Sequence, residues 1–158
     1  MRHDRLKLLA FALMGAMAAC AAKEQMKEPA VPPSRPVQAA DLIGSQWLAV
    51  DISGVGVAGE SHSTLRFAAP NQVDGNTGCN PFRGPLATEG ASIRLGPLAT
   101  TRRACTPELM DQERHYLMAL AQASGMRLDG TELVLLDQSG QALVRYSRVD
   151  PTAIPTRP

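Results

Sequence analysis

From Gln46 to Tyr146 most of the chain is written in short runs that alternate polar and apolar residues and end in turn formers. Nothing else constrains the fold as much. Alternation at every second residue fits a half-buried strand, and runs of roughly four to eight residues are too short for helices. Gln46–Ile52, Thr64–Phe67, Gln72–Gly78, Phe82–Thr88, Ser92–Leu95, Met126–Asp129, Glu132–Leu136 and Ala142–Tyr146 read as strands. Asp129-Gly130 and Gln138-Ser139-Gly140 mark turns between the last three, and the glycine-rich Ser53–Gly59 reads as a flexible loop. Short strands at this spacing predict an antiparallel barrel or sandwich.

One stretch breaks the alternation. Thr106-Pro107-Glu108 supplies a hydroxyl cap, a proline suited to a first helical turn and an acid near the positive end of a helix. Leu109, Met110, Glu113, Tyr116, Leu117 and Leu120 follow at helical spacing, and Gly125 offers the exit. We expect one amphipathic helix of about 16 residues with its apolar face on the sheet.

The N-terminus has its own logic. Arg2, Arg5 and Lys7 precede an apolar run, Leu8–Ala19, which Cys20 follows directly. The run is shorter than the roughly 20 residues a bilayer span needs, so it reads as a secretory signal over residues 1–19. Met17-Ala18-Ala19-Cys20 resembles a bacterial lipobox, whose cysteine is lipidated and becomes the mature N-terminus. A plain cleavage site at Ala16-Met17-Ala18 is the competing reading. Ala21, not Asp, after Cys20 favours the outer membrane by resemblance to bacterial lipoproteins. Pro29, Pro32, Pro33 and Pro36 make residues 20–40 a spacer that neither joins a sheet nor continues a helix. Residues 150–158 hold three prolines and read as an irregular tail.

Residues 41–149 remain for the folded domain, small enough to gain from a covalent staple. Cys79 and Cys105 are its two cysteines. In an oxidising compartment such a pair is expected to form a disulfide. Two free thiols, a metal site with His62 or His115, and a nucleophilic Cys105 before a helix start are the alternatives. No Cys-x-x-Cys or His-x-x-x-His spacing supports a metal.

Other chemistry is scarce. There is no Gly-x-Ser-x-Gly elbow, no His-Glu-x-x-His and no phosphate-cradling loop. His62 lies between Ser61 and Ser63, and His115 beside Tyr116, so a Ser-His-Asp set is drawn only by choice. Arg102 and Arg103 make a small basic spot near the helix start. With 16 basic and 15 acidic residues, there is no footprint for nucleic acid.

The segment Gly78-Cys79-Asn80-Pro81-Phe82-Arg83-Gly84 resembles the Gly-Cys-Asn-x-(Phe/Tyr)-x-Gly signature of the META domain, the HslJ-like family of bacterial envelope proteins. Gly96-Pro97-Leu98-Ala99-Thr100-Thr101-Arg102-Arg103-Ala104-Cys105 is similar to its second signature. Pro107, Glu113, Tyr116, Ala119 and Leu120 match the helix that follows. Leu42, Gly44 and Trp47 match the opening strand, and Leu133, Leu135, Asp137 and Gly140 match the closing one. The resemblance implies a mainly β (α+β) fold, a strongly curved antiparallel sheet or partial barrel with one amphipathic helix packed on it. It implies a structural role for Trp47, Asn80 and the matched glycines. It carries no catalytic residues, no metal and no cofactor.

The resulting expectation is a non-enzymatic envelope lipoprotein. It is anchored at Cys20, stapled by Cys79 and Cys105, and supports envelope integrity or stress tolerance through an envelope partner. A barrel holding a small apolar ligand is the second expectation, with Trp47, Leu65, Phe67, Phe82, Leu128 and Leu135 facing the interior. A hydrolase or redox enzyme built on His62, His115, a serine or Cys105 is the third.

Overall fold

The structure, a computed structural model, describes residues 35–59 and 61–149. The signal, Cys20, most of the spacer and the tail lie outside the described residues. Strands β1 (Arg35–Pro36), β2 (Gln46–Ile52), β3 (Ser63–Ala69), β4 (Gln72–Thr77) and β5 (Pro81–Glu89) open the chain. β6 (Ser92–Leu95) and β7 (Ala99–Thr100) follow, then helix α1 (Pro107–Gln122). β8 (Gly125–Asp129), β9 (Glu132–Leu136) and β10 (Ala142–Val149) close it.

All pairings are antiparallel. Neighbours run β1-β8-β6-β5-β4-β3-β2-β10-β9, with β7 beside β5, and β9 pairs back onto β8. One sheet therefore curls into a near-ring instead of splitting into a sandwich. Irregularities in the β2–β10, β9–β10 and β3–β4 registers supply local bends, because an extra residue on one strand adds twist. The thinnest seam is β6 to β8, joined in register by Ser92 opposite Gly125.

Alternation decides which side chains enter the ring. Trp47, Ala49, Leu65, Phe67, Val73 and Phe82 are buried, while Arg66, Arg83 and Arg94 on the same strands or their neighbours are exposed. Leu135 also lies in the core, and Leu128 packs against it half-buried. Helix α1 touches β2, β4, β6 and β10, strands distributed around the ring, so it lies across the ring's mouth. Tyr116, Ala119 and Leu120 are its buried apolar residues.

Three expectations change here. The spacer was expected to run to residue 40 without joining a sheet, yet Arg35–Pro36 pairs with Arg127–Leu128 of β8. A proline is tolerated at a sheet edge, where its missing N–H is not needed for a ladder. Beyond it Val37, Ala39 and Leu42 enter the core, so the fold reaches back beyond residue 41. On the helix, Met110 is 46 % exposed and Gln112, outside the expected set, is buried, so the inward face is rotated from the one read from spacing. Finally, the Ser53–Gly59 loop is pinned: the Asp51 carboxylate accepts the N–H groups of Gly54 and Gly56, each at 2.9 Å.

Candidate functional site

The first signature occupies the turn between β4 and β5, and its chemistry is inward. Gly78 adopts φ +98°, a left-handed conformation that a side chain disfavours. Thr77 Oγ1 accepts the N–H groups of Asn80 at 2.9 Å and Cys79 at 3.3 Å, and donates to Glu113 Oε2 at 2.5 Å. These bonds close the turn locally and fasten it to the helix.

Asn80, 1 % exposed, joins three segments. Its Nδ2 donates to Glu113 Oε2 at 2.9 Å and to the Arg103 carbonyl at 3.2 Å. Its Oδ1 accepts from Thr101 Oγ1 at 2.7 Å and from the Arg103 N–H at 2.8 Å. A primary amide offers both donors and acceptors, so one side chain satisfies the helix and the strand-to-helix connection together. Cys79 and Cys105 join the same two segments by a disulfide, with S–S 2.03 Å and Cα–Cα 6.0 Å.

Gln112 extends the network to the β2–β3 loop. Its Oε1 accepts the Ala58 N–H at 2.5 Å, and its Nε2 donates to Ser61 Oγ at 2.6 Å and Ser63 Oγ at 2.9 Å. Ser63 Oγ in turn donates to the Thr77 carbonyl at 2.7 Å. Among the described residues, no buried side-chain nitrogen or oxygen lacks a partner. A satisfied polar network of this kind fixes the geometry of the turn, the loop and the helix relative to one another.

Deeper in, the Tyr116 and Tyr146 hydroxyls lie 3.0 Å apart, and Tyr116 stands edge-on to Phe82 with ring centroids 6.1 Å apart. Burial pushes both phenols well above their ordinary range. Both tyrosines belong to the core cluster, with Trp47, Leu65, Phe67, Phe82 and Leu135. At the other end of β2, the Trp47 indole N–H donates to Ser45 Oγ at 2.7 Å, and Arg148 lies over its ring at 5.9 Å. The outer wall of β3, β4, β5 and β7 carries an open groove of about 600 Å³, with Thr64, Asp74, Arg83 and Thr100 among its lining. The Arg66 guanidinium clamps Asp74 beside it with bonds of 2.7 and 2.6 Å.

Of the residues singled out from sequence, Cys79, Cys105, Asn80 and Gly84 gather around the β4–β5 hairpin. His62 and His115 are exposed, and the serines flanking His62 are engaged by Gln112. Arg102 is exposed, whereas the Arg103 main chain is bound to Asn80 and its Nη2 donates to the Cys79 carbonyl at 3.2 Å. No group of three or more His, Cys, Asp or Glu among the described residues is placed to hold a metal. Thr77 and Gln112 were not legible as site residues: each looks like an ordinary polar surface position until the turn and loop meet the helix.

The META domain family model matches residues 40–150, the span that contains the turn, the disulfide and the helix. This chain belongs to the META domain family. Its fold is similar to that of a Burkholderia xenovorans protein solved by NMR, with TM-score 0.59 and 22 % identity over 80 % of this chain and 97 % of that one. A second NMR structure matches at TM-score 0.57 and 20 % identity, covering 70 % of this chain and 94 % of the other. No curated protein matches the chain in sequence. In this META domain, the two signatures are the two halves of one latch: the first builds the β4–β5 turn, and the second delivers Thr101, Arg103 and Cys105 to it.

Proposed function

We propose that the chain is a non-enzymatic bacterial envelope lipoprotein. Its META domain is held to the membrane through Cys20 and supports envelope integrity or stress tolerance by binding a protein or other envelope component. The observation that carries this reading is the consumption of the signature side chains by the fold itself. Asn80, Thr101, Glu113 and the cysteine pair all bond to each other or to the chain. Function then falls to outward surfaces. A disulfide in a small domain suits an oxidising compartment outside the cytoplasm. Cys20 directly after the short apolar run suits lipidation, and the proline-rich segment after it suits a spacer.

The test is the intact mass of the protein extracted from its own membranes, alongside Cys20→Ala. The reading expects a chain that starts at Cys20 with added acyl mass, and a Cys20→Ala protein that leaves the membrane fraction. It also expects that crosslinking in intact cells joins the wild-type domain to a reproducible envelope partner. An unmodified chain cut before Cys20 overturns the anchor. Absence of any crosslinked partner, in a deletion strain indifferent to detergent and heat, overturns the binding role.

A further inference from the structure

The disulfide is asymmetric. Cys79 is 2 % exposed, at the closed turn under Arg103. Cys105 is only half-buried and sits on a segment whose neighbours Arg102, Arg103, Ala104 and Thr106 are all exposed. The Cys79 sulfur also has polar company: Asn80 Nδ2 donates toward it at 3.2 Å, and the Arg103 carbonyl lies 3.5 Å away. The first contact suits a thiolate and the second a thiol.

We propose that the bond is a directional exchange site, in which an incoming thiolate attacks Cys105 Sγ and Cys79 is the leaving sulfur. The partner is a dithiol, of the class that reduces protein disulfides. Its thiolate lone pair forms a bond to Cys105 Sγ. The Cys79–Cys105 bond breaks with its electron pair on Cys79 Sγ, 3.2 Å from Asn80 Nδ2, whose two N–H groups it then shares with Glu113 and the Arg103 carbonyl, and solvent supplies a proton. The partner's second thiolate attacks the partner's own sulfur in the mixed disulfide and releases Cys105 as a thiolate, which solvent protonates, leaving two protein thiols and an oxidised dithiol.

Two effects compete over which sulfur is attacked. A thiolate at Cys105 would gain from the start of α1, which makes Cys105 the better leaving group and favours attack on Cys79. Access opposes this, because a nucleophile cannot line up behind a sulfur in a residue 2 % exposed. Access decides, since leaving-group preference matters only after contact. Arg102 and Arg103 add positive charge where the incoming thiolate arrives. The fold is built to survive the opening. Asn80 still holds Thr101 and Arg103, and Thr77 still holds Glu113, when the sulfur bond is gone. Reduction therefore loosens the Ala104–Thr106 entry to the helix without releasing the turn.

The test uses the folded full chain, exposed briefly to the monothiol glutathione, quenched with N-ethylmaleimide and mapped by peptide mass. The expected product carries glutathione on Cys105 and maleimide on Cys79. Glutathione on Cys79, an even split, or no adduct until denaturant is added overturns the proposal. Single variants give a second reading. Under native conditions the Cys105 thiol in Cys79→Ser should react with maleimide about tenfold or more faster than the Cys79 thiol in Cys105→Ser, and the two rates should converge in denaturant. Equal or reversed native rates overturn it as well. Peptide mapping reads Cys79 and Cys105 separately from Cys20, and neither reading needs an envelope partner.

Discussion

At the scale of single residues, the two tyrosines show most directly how burial becomes measurable behaviour. They are the only tyrosines in the chain, and their hydroxyls share one buried hydrogen bond. Removing one hydroxyl strands the other in the core, whereas removing both removes the need for a bond. We therefore expect Tyr146→Phe to cost about 1–2 kcal/mol in urea unfolding, and Tyr116→Phe with Tyr146→Phe together to cost less than either alone. The pH dependence has a definite sign. Both phenols ionise less readily in the fold, so their contribution is fully present below the ordinary tyrosine range of about 10 and is lost as pH rises above it. Phenolate absorbance should stay silent through that range and appear only together with unfolding. A phenolate signal from the intact fold near pH 10 would sink the account.

The two signature glycines serve different physical needs. Gly78 is fixed by its positive φ, whereas a Cβ at Gly84 would meet the Pro97 carbonyl oxygen at 2.8 Å and Leu98 Cδ2 at 2.7 Å. A backbone oxygen cannot rotate away as a side chain can. Gly84→Ala should therefore cost more in thermal unfolding than Gly90→Ala, where a Cβ meets nothing within 4 Å and only the φ of +58° is strained. Equal losses would show that the β6–β7 connection, which carries Pro97 and Leu98, yields easily. The sequence motif named Gly84 but not its reason, because the close approach comes from a segment more than ten residues away.

Among elements, the helix teaches where sequence reading stops. Its start and length were legible from Thr106, Pro107 and the apolar spacing, and the structure places it at Pro107–Gln122. Its inward face was not, because Gln112 enters the network only when Ser61, Ser63 and Ala58 arrive from a distant loop. Periodicity counts apolar residues and cannot see that a buried amide is satisfied. The strands were read well for the same reason in reverse: their alternation is local, and β6 and β9 fall at the expected boundaries. The two-residue strands β1 and β7 carry too little alternation to be seen. Asn80→Ala tests the latch that joins these elements. It removes partners from the Thr101 hydroxyl, the Arg103 N–H and Arg103 carbonyl, and the Glu113 carboxylate. Leaving such groups unpaired should cost about 3 kcal/mol in urea unfolding, comparable with the roughly 3–4 kcal/mol expected from Cys79→Ser with Cys105→Ser. A loss below about 1 kcal/mol for Asn80→Ala would mean that water replaces the amide and that the latch is the disulfide alone.

For the whole molecule, the ring and the segment before it are one argument. A strongly curved sheet leaves two openings, and each apolar opening must be covered if the interior is to stay dry. The helix covers one. At the other end, the chain before β2 supplies the buried residues Val37, Ala39 and Leu42, and the Gly44 N–H donates to the Phe67 carbonyl at 2.8 Å. Proline content hid this from the sequence, because Pro29, Pro32, Pro33 and Pro36 make the whole stretch look like spacer when its last part carries core residues. The boundary between spacer and domain can be tested by truncation. A chain beginning at Asp41 retains every β2–β10 strand but loses β1, Val37 and Ala39. Burying a valine side chain contributes about 1.5–3 kcal/mol, and the lost pairing with β8 leaves that strand's edge barer. We expect the shortened chain to unfold at lower urea than one beginning at Ser34, by roughly 2–4 kcal/mol with Ala39 and β1 included. Amide exchange should rise at Arg127 and Leu128, the β8 residues opposite Arg35 and Pro36. Equal midpoints and unchanged exchange for the two chains would return residues 35–40 to the spacer and leave that end of the ring to Leu42 and the sheet.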